Sequence, residues 1–64
     1  MRPEMKRWLR DHGLTASRVA NVAGISYPNL YRQLSGRMKP DPALRDALIS
    51  VFGMTVQEFR EAVP

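Results

Sequence analysis

Gly24 divides the most informative stretch of this chain into two short helices that have to meet at a corner. The first of these helices begins after Thr15, whose side chain suits an N-cap, and its small apolar residues share one face. They are Val19, Ala20 and Ala23. Glycine ends helices because it adopts the left-handed conformation, and Ile25 is the apolar residue that commonly follows such a cap. The sequence therefore predicts two helices packed at a sharp angle.

The second helix of this pair is expected to begin after Ser26, another good N-cap, and to tolerate Pro28 in its first turn. Leu30 and Leu34 lie one turn apart, so both face the first helix. The opposite edge of the second helix, which includes Arg32, is then predicted to face outward.

Glycines and prolines also mark the ends of the other helices. All four glycines stand where a helix is expected to end, and three of the five prolines stand where one is expected to begin. A first helix runs from about Pro3 to His12 and places Met5, Trp8 and Leu9 on one face, so Trp8 is interpreted as a core residue. No segment shows the sustained alternation of apolar and polar residues that is typical of a β-strand. We predict an all-α fold, a compact bundle of five helices.

The second half of the chain begins with a stiff basic loop, because residues that precede prolines are pushed toward extended conformations. Asp41 and Pro42 suit the N-cap and first position of a fourth helix, which is expected to end at Gly53. Its apolar stripe consists of Leu44, Ala47, Leu48 and Val51. Ile49 and Phe52 lie beside the stripe and indicate either a wider core, which we favour, or a dimer contact. Thr55 and Glu58 form a capping box for a fifth helix that contains Val56, Phe59 and Val63.

Length and composition restrict the chemistry. Sixty-four residues are expected to form one small domain. There is no cysteine, and His12 is the lone histidine, so we expect no disulfide, metal site or other cofactor. The carboxylates are scattered, without a nucleophile and base beside them, and this argues against an enzyme. The apolar runs are short and no signal sequence is evident, so we expect a cytoplasmic protein without a membrane partner.

Positive charge is concentrated in the part of the chain that contains the paired helices. Residues 1–39 carry eight basic and two acidic side chains, a net charge of +6, whereas residues 40–64 carry two basic and four acidic side chains, a net charge of −2. Such a distribution favours a nucleic-acid partner for the first part and leaves the C-terminal part free to meet a protein. A merely solvated cationic surface is the alternative.

Residues 15–35 resemble the helix-turn-helix of the phage repressor, Cro and XRE family of DNA-binding proteins. The resemblance rests on five positions at that family's spacing: Val19, Ala20, Gly24, Ile25 and Leu30. One position departs from the pattern, since Gln33 stands where the family usually has an apolar residue and Leu34 follows it. The resemblance implies a lambda-repressor-like domain that binds double-stranded DNA with helix 27–35 in the major groove.

The same resemblance implies base contacts near the start of that helix. The expected residues are Ser26, Tyr27, Pro28, Asn29, Tyr31, Arg32 and Gln33. Arg32 is the strongest of them because an arginine can donate two hydrogen bonds to guanine, although it can also clamp a phosphate. Each of the two tyrosines can touch a thymine methyl group, donate its hydroxyl to a phosphate or line the core. Donors that flank the groove are the candidate phosphate contacts, namely Thr15, Ser17, Arg37 and Lys39.

These features favour a transcriptional regulator, a Cro-like or XRE-like repressor of prokaryotic or phage origin on the nucleoid. It is expected to bind a palindromic operator as a homodimer, since two copies can occupy successive major grooves. The alternatives are an antitoxin or adaptor whose C-terminal part binds a protein partner, and a nonspecific nucleic-acid binder held by phosphate contacts alone.

Overall fold

Five helices and no β-strand make up the fold in a computed structural model that describes residues 1–64. The all-helical prediction is therefore confirmed. The helices are α1 (Pro3–Asp11), α2 (Ala16–Ala23), α3 (Tyr27–Leu34), α4 (Pro42–Asp46, continued by a π-helical segment, Ala47–Val51) and α5 (Val56–Ala62). α1 packs against α5, whereas α2 packs against α3 and α4.

The helices begin where the sequence predicts, with one difference in capping. The hydroxyls of Thr15, Ser26 and Thr55 each accept a hydrogen bond from the N–H three residues later, and Glu58 completes the capping box at Thr55. Asp41 occupies the N-cap position of α4, but its side chain caps nothing. The predicted positions of Asp41 and Pro42 are confirmed, and the backbone N–H of Asp41 donates a hydrogen bond to Oε1 of Gln33.

Gly24 forms the corner between α2 and α3 in a left-handed conformation, with φ of 71°. Its N–H donates to the carbonyl of Asn21 at 3.2 Å, and the N–H of Ile25 donates to the carbonyl of Ala20 at 3.1 Å. This pair of bonds is a Schellman closure, and α1 and α3 end with the same pattern. The direction in which α3 leaves α2 is thus set by residues close together in the sequence.

The core collects apolar side chains from all five helices. Its buried members are Met5, Trp8, Leu9, Val19, Ala20, Leu30, Leu34, Leu44, Leu48, Met54, Ala62 and Val63. Ile49 and Phe52 pack against this cluster, which confirms a wider core at those two positions. Met54 was not singled out by the sequence, although it follows a glycine cap just as Leu14 and Ile25 do.

The last turns of the fourth helix differ from the predicted stripe. Val51 was expected to face the core, yet it is 63% exposed. From Ala47 onward the helix is π-helical, and the N–H of Phe52 donates to the carbonyl of Ala47, five residues back. Because a π-turn contains one more residue than an α-turn, the inward position moves from Val51 to Phe52.

Candidate nucleic-acid interface

Helix α3 has one buried and one exposed side. Leu30 and Leu34 are fully buried against the rest of the fold, and Gln33 is buried with them. The exposed side is formed by Tyr27, Pro28, Tyr31 and Arg32. Since α3 follows the tight turn at Gly24 and is held by its apolar side, the exposed side is presented on a rigid support.

Gln33, a predicted base contact, does not lie on the exposed side of α3 in this structure. It is 1% exposed, and its Oε1 accepts a hydrogen bond of 2.8 Å from the backbone N–H of Asp41. The amide oxygen is thereby satisfied inside the fold, at a position where the resembled family usually has an apolar residue. The same bond ties α3 to the start of α4.

Tyr27 and Tyr31 are half exposed, at 49% and 47%, so neither tyrosine is a core residue. Their rings stack on each other one helical turn apart, with centroids 6.5 Å apart and planes inclined by 30°. Together with Pro28, Arg32 and Arg37 they line a shallow depression of about 400 Å³. The lining of this depression is mainly apolar and includes two arginines.

Arg32 is exposed and held in place by its own helix. Its Nη1 donates to Oδ1 of Asn29 at 3.0 Å, and the backbone N–H of Asn29 donates to the hydroxyl of Ser26 at 3.2 Å. The guanidinium retains further N–H donors that point to no protein acceptor. Asn29 thus positions Arg32, while the carbonyl oxygen of its side chain is already engaged.

The start of α2 carries the candidate phosphate contacts Thr15 and Ser17, both exposed. The Thr15 hydroxyl accepts from the N–H of Arg18 at 3.2 Å and can still donate its own hydrogen. The backbone N–H groups of Ala16 and Ser17 find no acceptor within the protein. Free amides at a helix start, together with the helix dipole, favour an anion.

The cations around α3 are not neutralised by carboxylates. The one ion pair of the structure joins Arg10 to Asp11, at 3.7 Å on the exposed surface of α1. Arg37 and Lys39, in the loop that follows α3, are both exposed and unpaired. Arg37 lines the same depression as Arg32, so two cations that form no ion pair lie together beside α3.

Other kinds of site would be marked by a metal-binding cluster, a membrane-spanning helix or a further depression. No group of three or more His, Asp or Glu side chains is arranged to hold a metal ion. None of the helices has the length and apolar character needed to cross a membrane. A depression of about 160 Å³ between α1 and α5 is lined mainly by charged side chains of both signs.

No protein-family model, curated protein or solved structure matches this chain.

Proposed function

We propose that this protein is a sequence-specific, double-stranded DNA-binding transcriptional regulator in which α2 and α3 act as a helix-turn-helix. The observation that carries the proposal is the exposed side of α3, where Arg32 and two tyrosines stand opposite buried Leu30 and Leu34. A helix supported in this way can enter the major groove, which is about 12 Å wide and admits an α-helix about 10–12 Å across.

Arg32 is the main candidate for base recognition in this proposal. Its tether to Asn29 restrains the side chain before DNA is bound, so less conformational entropy is lost when the guanidinium meets the O6 and N7 atoms of guanine. A contact of this type is worth about 1–3 kcal/mol of discrimination against other bases. Asn29 then acts by positioning Arg32, because its side-chain oxygen is occupied.

Phosphate contacts would place α3 in the groove from both sides. The free amides at the start of α2, with the hydroxyls of Thr15 and Ser17, suit one strand of the backbone. The unpaired Arg37 and Lys39 beyond the end of α3 suit the other strand. These contacts orient the helix, whereas base edges provide the sequence preference.

A homodimer on a palindromic operator is consistent with the size of the fold. The Cα atoms extend over 22 × 20 × 18 Å. Recognition helices of paired copies have to lie about 34 Å apart to occupy successive major grooves. Two copies therefore fit side by side on one face of DNA without overlapping, and by occupying an operator they exclude other proteins, as a repressor does.

The proposal is tested by selecting bound sequences from a random duplex pool with the wild-type protein and with Arg32→Ala. We expect a palindromic preferred site, and a preference for guanine at one position of each half-site that Arg32→Ala loses. Arg10→Ala is the matched control, because it removes the same charge from α1 and should leave the preference unchanged. An equal, sequence-independent loss with Arg32→Ala would indicate a nonspecific phosphate binder.

A protein partner for the C-terminal part is a second candidate function, favoured by one observation. Val51 and Val56 are 63% and 43% exposed, and they flank the turn at Gly53. Exposed aliphatic side chains on a small protein suit either the second copy of a dimer or the partner of an antitoxin or adaptor. Light scattering of the purified protein, with Val51→Ser as the variant, measures whether this surface joins two copies.

A further inference from the structure

The depression on α3 has a chemistry that differs from a general phosphate site. It is lined by Tyr27, Pro28 and Tyr31 together with Arg32 and Arg37, and its surface is mainly apolar. No acidic side chain contributes to it. A phosphate needs N–H and O–H donors, which the two arginines can provide, but an apolar surface has no role in binding a phosphate.

In the major groove, the group that can pack against a mainly apolar surface is a methyl group. The edges of the four bases present hydrogen-bond donors and acceptors there, and the one apolar feature is the C5-methyl group of thymine. 5-Methylcytosine carries the same group at the same ring position.

The position of Arg32 relates this methyl contact to the guanine contact. Tyr31 and Arg32 are consecutive residues of α3, and both line the depression. The guanidinium of Arg32 is restrained by its bond of 3.0 Å to Asn29. A guanine bound by Arg32 would therefore lie on a base pair next to the one whose methyl group covers the tyrosines.

We propose that the depression formed by Tyr27, Pro28 and Tyr31 receives the C5-methyl group of a pyrimidine, on the base pair adjacent to the guanine that Arg32 contacts. The inference rests on the proposed function and specifies the sequence that α3 recognises. It also makes DNA binding sensitive to cytosine methylation, because 5-methylcytosine offers the same apolar group as thymine. Burial of one methyl group corresponds to about a fourfold change in Kd.

The experiment uses the preferred duplex from the random pool and measures Kd by fluorescence anisotropy. Each thymine is replaced singly by deoxyuridine, which removes the methyl group and leaves the hydrogen-bonding groups unchanged. We expect one position in each half-site, next to the guanine whose preference depends on Arg32, where deoxyuridine weakens binding about fourfold. When cytosine is placed at that position, its methylation should strengthen binding by a similar factor.

Two protein variants assign the effect to the depression. Tyr31→Ala should abolish the difference between thymine and deoxyuridine, whereas Tyr31→Phe should retain it, because the ring and not the hydroxyl makes the contact. Circular dichroism checks that both variants fold, which is expected since Tyr31 is 47% exposed.

The outcomes separate this inference from the proposed function. Specific binding that no thymine methyl group affects would overturn the inference and leave the DNA-binding function standing. Equal losses with Tyr31→Phe and Tyr31→Ala would also overturn it, since the hydroxyl would then be the contact. Absence of any preferred sequence in the pool would refute the proposed function itself.

Discussion

Gln33→Ala tests the part of the interface that differs most from the sequence-based expectation. The substitution removes the bond of 2.8 Å to the Asp41 N–H and truncates a side chain that is 1% exposed. A neutral hydrogen bond contributes about 1 kcal/mol, and the lost methylene contributes about 0.8 kcal/mol. We therefore expect the free energy of unfolding to fall by about 2 kcal/mol. In a domain of this size the midpoint of thermal unfolding should fall by roughly 8–16 °C.

The assay is urea unfolding followed by the fluorescence of Trp8, the single tryptophan, which is 5% exposed when the protein is folded. Gln57→Ala is the matched control, because Gln57 lies on the exposed surface of α5 and its loss should change the free energy by less than about 0.5 kcal/mol. Asp41→Pro removes the hydrogen-bond donor and suits the observed φ of −73°. In that background Gln33→Ala should cost about 1 kcal/mol less, the share of the missing bond.

A different outcome would contradict the buried position of Gln33. If Gln33→Ala left the free energy of unfolding unchanged but altered the bases selected from the random pool, Gln33 would lie in the groove. The buried position described here would then be wrong, and the side chain would belong to the DNA-contacting set.

Three further predictions concern the corner, the π-helical segment and the loop. Gly24→Ala should destabilise the fold by about 1 kcal/mol in urea unfolding, because the left-handed conformation costs other residues about 1–2 kcal/mol and no atom lies within 4 Å to add a clash. Phe52→Ala should lower the free energy of unfolding by about 2 kcal/mol in the same assay, whereas Val51→Ser should leave it nearly unchanged. A larger loss with Val51→Ser than with Phe52→Ala would instead support a regular α-helix with Val51 in the core. Lys39→Ala should reduce the salt dependence of DNA binding by about one phosphate contact without changing the preferred sequence, and an altered sequence would make Lys39 a base contact.

Much of the candidate site follows from local signals in the sequence. The caps at Thr15 and Ser26 and the turn at Gly24 depend on hydrogen bonds between residues a few positions apart. Leu30 and Leu34 then determine which side of α3 is buried, so Arg32 could be assigned to the exposed side from helical periodicity.

Helical periodicity does not determine the orientation of side chains at the borders between the buried and the exposed side of α3. Tyr27 and Gln33 each lie at such a border, where a polar or aromatic side chain can turn either way. Gln33 turns inward to the N–H of Asp41, which lies in another segment, whereas Tyr27 turns outward and stacks on Tyr31 in the next turn of α3. The pattern of residues by itself does not decide between an inward and an outward orientation.

The sequence by itself determined where helices begin and end, because caps, glycines and prolines act within a few residues of their own positions. Only the tertiary structure decided the register of the last turns of the fourth helix. A π-turn is rare and local sequence signals do not predict one, and in this fold it goes together with packing of Phe52 against the core in place of Val51. The burial of Gln33 also depends on tertiary structure, because its hydrogen-bond partner, the N–H of Asp41, is within reach only once α3 and α4 have come together.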